Sequence, residues 1–328
     1  MMRIKDPIYG TFELNSPVLE HLICSQPLQR LRDIAQFSVP DKYHCVKNFS
    51  RFEHAVGTML VLRVKGALIT TQIAGLLHDV AMPAFSHLGE WVFGDTKKEE
   101  LSEENHREFI SKTEIPRILW KHGIDLEQVV DSEKHPPLEM EAPLLCADRI
   151  DYGLRDVVAD RKLIWPTIKD LDMYDGHLVF KTKDAARAFA YNQLHCQQNH
   201  WGATENNVRW EIFRRALRWA LEDKVICKED FYKRSDSYIV AKLETCNDLD
   251  IQNVLHQLSS PKLRYREVDP TKEKPDVSVD KKFRWVNPHY VANGGSVYLL
   301  SKNDPDFRAY VRQQRALNEK GIHVVLEN

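Results

Sequence analysis

Two histidines and two aspartates, in three separate segments of the chain, are of the residue types that hold a divalent metal ion. They are His54, the adjacent pair His78 and Asp79, and Asp148. Two imidazole nitrogens and two carboxylate oxygens fill part of an octahedral shell and leave positions for water and a substrate oxygen. Such an ion lowers the pKa of its bound water from about 15.7 to about 7. The set therefore predicts metal-assisted hydrolysis of a phosphate ester.

The adjacent pair His78 and Asp79 is weak evidence by itself. Such dipeptides occur by chance, and the simpler interpretation is a helix-end histidine beside a solvated carboxylate. A second pattern follows Asp148, where helical spacing brings several polar residues to one side. These residues are Asp148, Tyr152, Arg155 and Asp156. A solvated helical face is the alternative for this second pattern.

These segments resemble the HD-domain phosphohydrolases, and among them the branch that contains the deoxynucleoside triphosphate triphosphohydrolases. The resemblance covers about the first two-thirds of the chain. The matching segments are Asp6–Gly10, Gln29–Arg32, Arg51–His54, His78–Asp79, Phe85–His87 and Asp148–Asp156. The resemblance assigns the four metal-ligand candidates to one active site.

Two arginines and three other polar residues are candidates for substrate binding. Planar guanidinium groups bind phosphate through paired hydrogen bonds, and Arg51 and Arg149 are suited to this role. By the resemblance, Tyr152 packs against a sugar, Asp156 lies near the sugar 3′-hydroxyl, and Gln36 also meets the sugar. The alternative for each is an ordinary surface residue.

Hydrolysis also needs a proton donor for the leaving oxygen, and histidine suits this role because its ordinary pKa is about 6.5. By the resemblance, His87 is the catalytic histidine, Glu90 is its carboxylate partner, and His106 lies on the next segment. For His106, a surface histidine is an equally good interpretation.

Three positions depart from the family pattern. Met82 stands where a second histidine is common, and Gln197 and Glu205 lie near positions that contact the outer phosphates and the base. These departures put triphosphate binding in doubt, because the positive charge expected at the outer phosphates is missing. Another basic residue, such as Arg209 or Arg214, could supply that charge.

Composition restricts the class of protein. The 328 residues carry a net charge of −2, which gives no general attraction to nucleic acid or anionic lipid. Six scattered cysteines form no Cys-x-x-Cys pair and predict reduced thiols. Without an apolar segment long enough for a signal peptide or membrane span, we expect a soluble intracellular protein, cytoplasmic or nuclear.

The expected partner of this protein is a nucleotide. A homo-oligomer is also possible by the resemblance. In the triphosphohydrolases an activating nucleotide binds at a subunit interface, near the segment that corresponds to Gln29–Arg32.

Hydrophobic periodicity predicts a mainly α fold, with an HD-type helical catalytic core over residues 1–223 and a small C-terminal α/β lobe over 224–328. Helices are predicted over residues 51–68, 70–80, 139–159 and 184–223, the last broken near Gly202. The lobe is predicted to contain a loop or exposed hairpin over residues 259–280, a hairpin turning at Asn293-Gly294, a helix over Pro305–Asn318 and a strand over Ile322–Leu326.

The predicted function is that of a metal-dependent phosphohydrolase acting on nucleotides. The first choice of substrate is a deoxynucleoside triphosphate, with nucleoside and tripolyphosphate as products. The alternatives are a 5′-nucleotidase or pyrophosphatase for smaller nucleotides, and a non-catalytic regulatory HD protein. One divalent ion is expected, and manganese, iron, nickel, zinc and magnesium are all compatible with these ligands.

Overall fold

The computed structural model describes residues 1–94, 101–156, 158–292 and 294–327, without the side chains of residues 101–104. Helices make up most of the regular structure in these ranges. In chain order they are α1 Pro17–Ile23, α2 Gln26–Arg30, α3 Arg51–Val64, α4 Ile69–Leu77, α5 Ser86–Phe93, α6 Leu101–Ser111, α7 Ile115–Lys121, α8 Ala147–Arg155, α9 Ile164–Asp170, α10 Lys183–Cys196, α11 Thr204–Glu222, α12 Lys228–Lys233, α13 Asp236–Thr245, α14 Leu249–Leu258, α15 Leu300–Asn303 and α16 Pro305–Asn318. Within the same ranges, no helix combines the length and the apolar character needed to cross a lipid bilayer.

Within the part of the chain that the structure describes, short strands form three small sheets. In chain order the strands are β1 Met2–Asp6, β2 Gly10–Leu14, β3 Leu171–Tyr174, β4 His177–Phe180, β5 Tyr265–Glu267, β6 Val277–Val279, β7 His289–Val291, β8 Val297–Leu299 and β9 Ile322–Leu326. The sheet orders are β1-β2, β3-β4-β7-β8 and β5-β9-β6. Every pairing is antiparallel except that of β4 with β7.

Helix α3 is buried on nearly all sides and carries the first metal-ligand candidate. It begins with a capping box, in which Ser50 Oγ accepts from the Glu53 amide at 3.2 Å and Glu53 Oε2 accepts from the Ser50 amide at 2.8 Å. This reciprocal pair satisfies two amide groups at the helix start. Because α3 packs against both α4 and α8, side chains from all three helices can meet in one place.

Among the described residues, two buried hydrophobic clusters stabilise the fold, and each takes residues from both sides of position 223. The first joins α3, α4 and α8 to Tyr290 and Phe307. The second joins Phe85 and α11 to strands β6 and β9. In addition, Phe180 of β4 lies opposite Tyr290 of β7. The division into a core and a lobe at residue 223 stays a prediction, and the contacts across that position are extensive.

Much of the predicted secondary structure is confirmed. The class is mainly α with small sheets toward the C-terminus. The predicted break near Gly202 follows a turn of π-helix, Gln197–Trp201, that separates α10 from α11. Helix α16 and strand β9 have the predicted bounds. Strands β7 and β8 form the predicted hairpin, with Gly294 in its turn, while Asn293 lies outside the described residues.

Three predicted elements need correction. The helix predicted to continue to residue 68 ends at Val64. The helix predicted over 139–159 begins only at Ala147, because Cys146 has an extended backbone with φ of −151°. Pro143, which lacks an amide hydrogen, also disfavours an earlier start. Residues 259–280 are predicted as a loop or exposed hairpin, but β5 and β6 in this segment each pair with β9 and not with each other, so the hairpin alternative is wrong.

Candidate active site

The four metal-ligand candidates converge where α3, the end of α4 and the start of α8 meet. His54 Nε2 lies 3.2 Å from His78 Nε2 and 3.0 Å from Asp148 Oδ1. Asp79 Oδ2 lies 3.6 Å from the Nε2 atom of each histidine. His78 Nε2 and Asp148 Oδ1 are 3.8 Å apart. Two nitrogens and two carboxylate oxygens therefore surround one small volume, as the sequence predicts.

The Nδ1 atom of each of these two imidazoles donates a hydrogen bond to an oxygen acceptor. His54 Nδ1 donates to Asp151 Oδ2 at 2.8 Å, and His78 Nδ1 donates to the Gly75 carbonyl at 2.8 Å. The Nε2 lone pairs of His54 and His78 consequently face each other and the Asp148 carboxylate. Either protonation or a bound metal cation makes this arrangement favourable, and a divalent metal ion fits a set of neutral imidazoles and carboxylates.

The pKa values of this cluster reflect its density of charge. Burial acts to lower the pKa of His78, but the carboxylates of Asp79 and Asp148 outweigh burial and raise that pKa to about 9. Burial acts to raise the pKa of Asp79, but Arg51, His78 and His54 outweigh it and hold that pKa well below its ordinary value. Protons and a metal ion would therefore compete for the same sites.

Arg51 is buried beside these ligands and connects them to the start of α5. Its NH1 donates to Asp79 Oδ2 at 2.6 Å, and its Nε donates to Ser86 Oγ at 2.9 Å. Its NH2 is buried and has no hydrogen-bond partner among the described residues. A buried guanidinium nitrogen left in this state loses hydration without compensation. It is therefore placed to donate to an oxygen of a bound ligand.

A cleft of about 750 Å³ opens beside the ligands. Besides His78, Asp79 and Asp148, its wall includes aromatic, basic and acidic side chains. The aromatic ones are Phe37, Tyr152, Trp201, Trp210, Phe283 and Trp285, the basic ones are Arg51, His87, Arg149, Lys282, Arg284 and Arg315, and the additional acidic ones are Glu139 and Glu141. A pocket of this size and mixed character suits a substrate with an apolar ring system and an anionic group.

Comparison with known proteins agrees with this geometry. Residues 51–155 match the family model described as HD domain, a range that contains all four metal-ligand candidates. The chain is also 33% identical over 295 residues to the uncharacterized protein YdhJ of Bacillus subtilis, covering 88% of this chain and 88% of YdhJ. The chain belongs to the HD-domain family.

Two further relatives match over shorter ranges. The chain is 37% identical over 160 residues to the metal-dependent phosphohydrolase cns2 of Cordyceps militaris, covering 49% of this chain and 46% of cns2. It is 25% identical over 233 residues to the deoxynucleoside triphosphate triphosphohydrolase SAMHD1 of Danio rerio, covering 66% of this chain and 33% of that protein. Together with the donor geometry, the matches identify an HD-domain metal-dependent phosphohydrolase.

The candidate acid–base residues of this HD-domain enzyme occupy two different environments. His87 lines the cleft, and its Nδ1 donates to Glu90 Oε2 at 2.9 Å, which leaves Nε2 for proton exchange. Glu90 itself is buried. His106 Nε2 instead donates to the Leu77 carbonyl at 2.9 Å, and burial lowers the pKa of His106. His106 thus contacts the end of the helix that precedes His78, and its catalytic role stays a prediction.

The remaining substrate-binding candidates also differ in position. Gln36, Arg149 and Tyr152 line the cleft. Arg149 NH1 donates to the carbonyls of Met140 and Leu144 at 2.8 and 2.7 Å, so it also holds the preceding loop.

Asp156 lies in a different environment from those three. It is fully buried, and its carboxylate accepts from His200 Nδ1 at 2.7 Å and from the Val158 amide at 2.9 Å. Its predicted contact with a sugar hydroxyl would require this arrangement to open.

Several residues around the site are not identified from the sequence. Asp151 orients His54, and the signal for it was its place three residues after Asp148 on the same predicted helix. Lys282, Arg284, Trp285 and Arg315 line the cleft from the C-terminal part of the chain. The signal for the first three was the mixed basic and aromatic run of residues 281–285, although sequence alone favours simple packing for Trp285, and Arg315 had no comparable signal.

Proposed function

We propose that this HD-domain enzyme hydrolyses a deoxynucleoside triphosphate and releases nucleoside and tripolyphosphate. The observation that carries the proposal is the cleft in which the metal ligands adjoin both aromatic and cationic side chains. A nucleotide has the matching parts, because its base and sugar are largely apolar and its phosphates are anionic. The name of the relative SAMHD1 supports the same substrate class.

The aromatic part of the wall suits a nucleoside. The rings of Tyr152 and Trp201 meet edge to face, with centroids 5.3 Å apart. Gln36 Oε1 and Trp210 Nε1 are buried and have no hydrogen-bond partner among the described residues. One is an acceptor and the other a donor, and such atoms cost free energy unless a ligand satisfies them. The edge of a base or a sugar hydroxyl can supply both partners.

The reaction follows from the arrangement of the remaining groups. A divalent ion held by His54, His78, Asp79 and Asp148 would activate water and polarise a phosphoryl oxygen. We assign Arg51 NH2 to an oxygen of the α-phosphate. Water adds to the α-phosphorus, the bond from phosphorus to the nucleoside O5′ breaks, and the tripolyphosphate retains the water oxygen. His87 Nε2 gives its proton to O5′, while Glu90 holds the opposite nitrogen of the ring.

Product analysis tests the proposal. One deoxynucleoside is supplied as mono-, di- and triphosphate to the full chain loaded separately with manganese, iron, nickel, zinc or magnesium. Tripolyphosphate, pyrophosphate, orthophosphate and nucleoside are then resolved. We expect tripolyphosphate and nucleoside in equal amounts from the triphosphate, and no product from the His54→Ala control. A preference of about tenfold or more for the monophosphate, which corresponds to about 1.4 kcal/mol in transition-state stabilisation, with orthophosphate as product, would instead establish a 5′-nucleotidase.

A further inference from the structure

We infer that Lys282, Arg284 and Arg315 form a binding subsite for the outer phosphates of the substrate. The inference rests on the proposed function and adds to it that the C-terminal part of the chain selects the number of phosphates. All three side chains line the same cleft as His78 and Asp79. Together they offer an ammonium and two planar guanidinium groups, which are the groups that bind phosphate oxygens.

The segment that carries Lys282 and Arg284 is fixed by a buried amide. Gln197 Nε2 donates to the Lys282 carbonyl at 3.1 Å, and Gln197 Oε1 accepts from the Arg284 amide at 3.3 Å. Asn318, also buried, donates to the Lys281 carbonyl at 2.7 Å. Gln197, which lies near the family's outer-phosphate position, therefore holds the backbone that presents two cations to the cleft.

Arg284 lines the cleft together with Tyr152. Arg315 is directed by two neighbouring aromatic rings. The Arg315 guanidinium lies 5.2 Å from the ring centre of Phe283 and 6.0 Å from that of Trp285. Stacking of this kind restricts a long side chain and leaves its donors at the edge available for oxygen acceptors.

Other basic residues near α11 have different roles. Arg209 donates to Glu205 and to the carbonyls of Tyr43 and Leu258, at 2.8 to 2.9 Å. Glu205, which pairs with Arg209, is not among the described residues that line the cleft. Arg214 pairs with Glu211 at 2.8 Å. The expectation that Arg209 or Arg214 supplies the missing outer-phosphate charge is therefore corrected in favour of the C-terminal cations.

The cleft also contains Glu139 and Glu141, which oppose the attraction of an anion. A single phosphate held by Arg51 beside the metal-ligand candidates has few oxygens left to offer to these three cations. A chain of three phosphates extends further and can contact them. The subsite thus favours triphosphate over monophosphate without changing the groups that act at the α-phosphorus.

Binding of inorganic tripolyphosphate and of orthophosphate, measured by calorimetry on the full metal-loaded chain, tests the inference. Arg315→Ala, Arg284→Ala and Lys282→Ala are compared with Arg312→Ala, an exposed arginine on the same helix as Arg315. We expect each of the first two variants to weaken tripolyphosphate binding by about tenfold or more, as loss of a hydrogen bond to a charged group does. Orthophosphate binding should change little, and Arg312→Ala should match the wild type.

The kinetic measurement separates this inference from the proposed function. If Arg315→Ala and Arg284→Ala bind tripolyphosphate as tightly as the wild type while deoxynucleoside triphosphate is hydrolysed, the subsite is absent and the function stands. If no nucleotide is hydrolysed but tripolyphosphate binding still depends on these arginines, the subsite stands and the function falls. Lys282 is exposed, so Lys282→Ala removes a cation from the cleft without leaving a cavity in a hydrophobic core.

Discussion

His54 and Asp151 share a fully buried hydrogen bond of 2.8 Å on the side of the imidazole opposite the other metal-ligand candidates. The second oxygen of Asp151 accepts from Tyr9 Oη at 2.7 Å. Arg155 donates to Asp151 at 2.9 Å and to Asp6 at 2.6 Å. A hydrogen bond of this type fixes the tautomer and orientation of a ligating histidine. The ligand on α3 is thus oriented by α8 and by the N-terminal strand.

Asp151→Asn should lower metal affinity by about 10- to 100-fold, the usual effect of removing a partner that orients a metal ligand. An asparagine keeps the volume but cannot accept from His54, Tyr9 and Arg155 in the same way. Metal titration and metal content after dialysis provide the measurement. Asp172→Asn, an exposed aspartate on β3, is the control. Wild-type metal affinity in Asp151→Asn would show that His54 needs no such partner.

Asp148→Ala and His87→Ala should separate metal binding from proton transfer. Asp148→Ala leaves an incomplete set of ligands and should lose both bound metal and activity while keeping its helical content. His87→Ala should retain metal and lose about 10²- to 10⁴-fold in rate, the usual contribution of a positioned acid or base. Metal analysis and turnover are measured on the same samples. Loss of metal from His87→Ala would make His87 a metal ligand and contradict this division.

The sequence predicts the convergence of the four metal-ligand candidates because each lies in a short, recognisable motif. It does not reveal what holds them in place. Asp151 and Arg155 act through contacts with Asp6 and Tyr9, more than a hundred positions away in the chain. Such pairings depend on how helices pack, and helical periodicity reports only which side of a helix faces inward.

The cationic side of the cleft was not predictable for a similar reason. Lys282, Arg284 and Arg315 follow the segment that resembles known enzymes, and they reach the site only through tertiary packing. Gln197 looks unsuited to phosphate binding from its chemistry alone. Its hydrogen bonds to Lys282 and Arg284 give it a supporting role that only the three-dimensional contacts reveal.

Gly57→Ala should destabilise the enzyme, although alanine normally favours a helix over glycine by about 0.5–1 kcal/mol. A Cβ atom at Gly57 would lie 1.9 Å from Asp151 Oδ1 and 2.2 Å from Arg155 NH2. Because both atoms belong to the network that orients His54, relaxation would disturb the site as well as the packing. We expect a loss of about 1–3 kcal/mol in the free energy of unfolding, measured by chemical denaturation, together with weaker metal binding. An increase in stability would show that the network shifts without cost.

Asp236 should make the stability of the enzyme depend on pH. It is buried at the start of α13, where Oδ1 accepts from the Phe85 amide at 2.7 Å and Oδ2 from the Ala35 amide at 2.8 Å. Phe85 and the following Ser86 have left-handed backbones, with φ of 62° and 51°, so this carboxylate stabilises an unfavourable turn beside the active site. Burial raises the pKa of Asp236 to about 7, against the opposing effect of the two amide donors.

The direction of the effect follows from proton linkage. An unfolded aspartate has a pKa of about 3.9, whereas the pKa of Asp236 in the folded enzyme is about 7. At pH values between these two, the carboxyl of Asp236 is protonated in the native state and ionised in the unfolded state. The contribution of Asp236 to stability is therefore greatest at acidic pH and is lost as pH rises through about 7. Asp236→Asn does not titrate, so the free energy of unfolding of the wild type minus that of the variant should decrease as pH rises across this interval. Asp250→Asn, at an exposed aspartate of α14, is the control for the substitution itself. Denaturant titrations at several pH values measure both differences, and a constant difference for Asp236→Asn would mean that its carboxyl stays charged throughout.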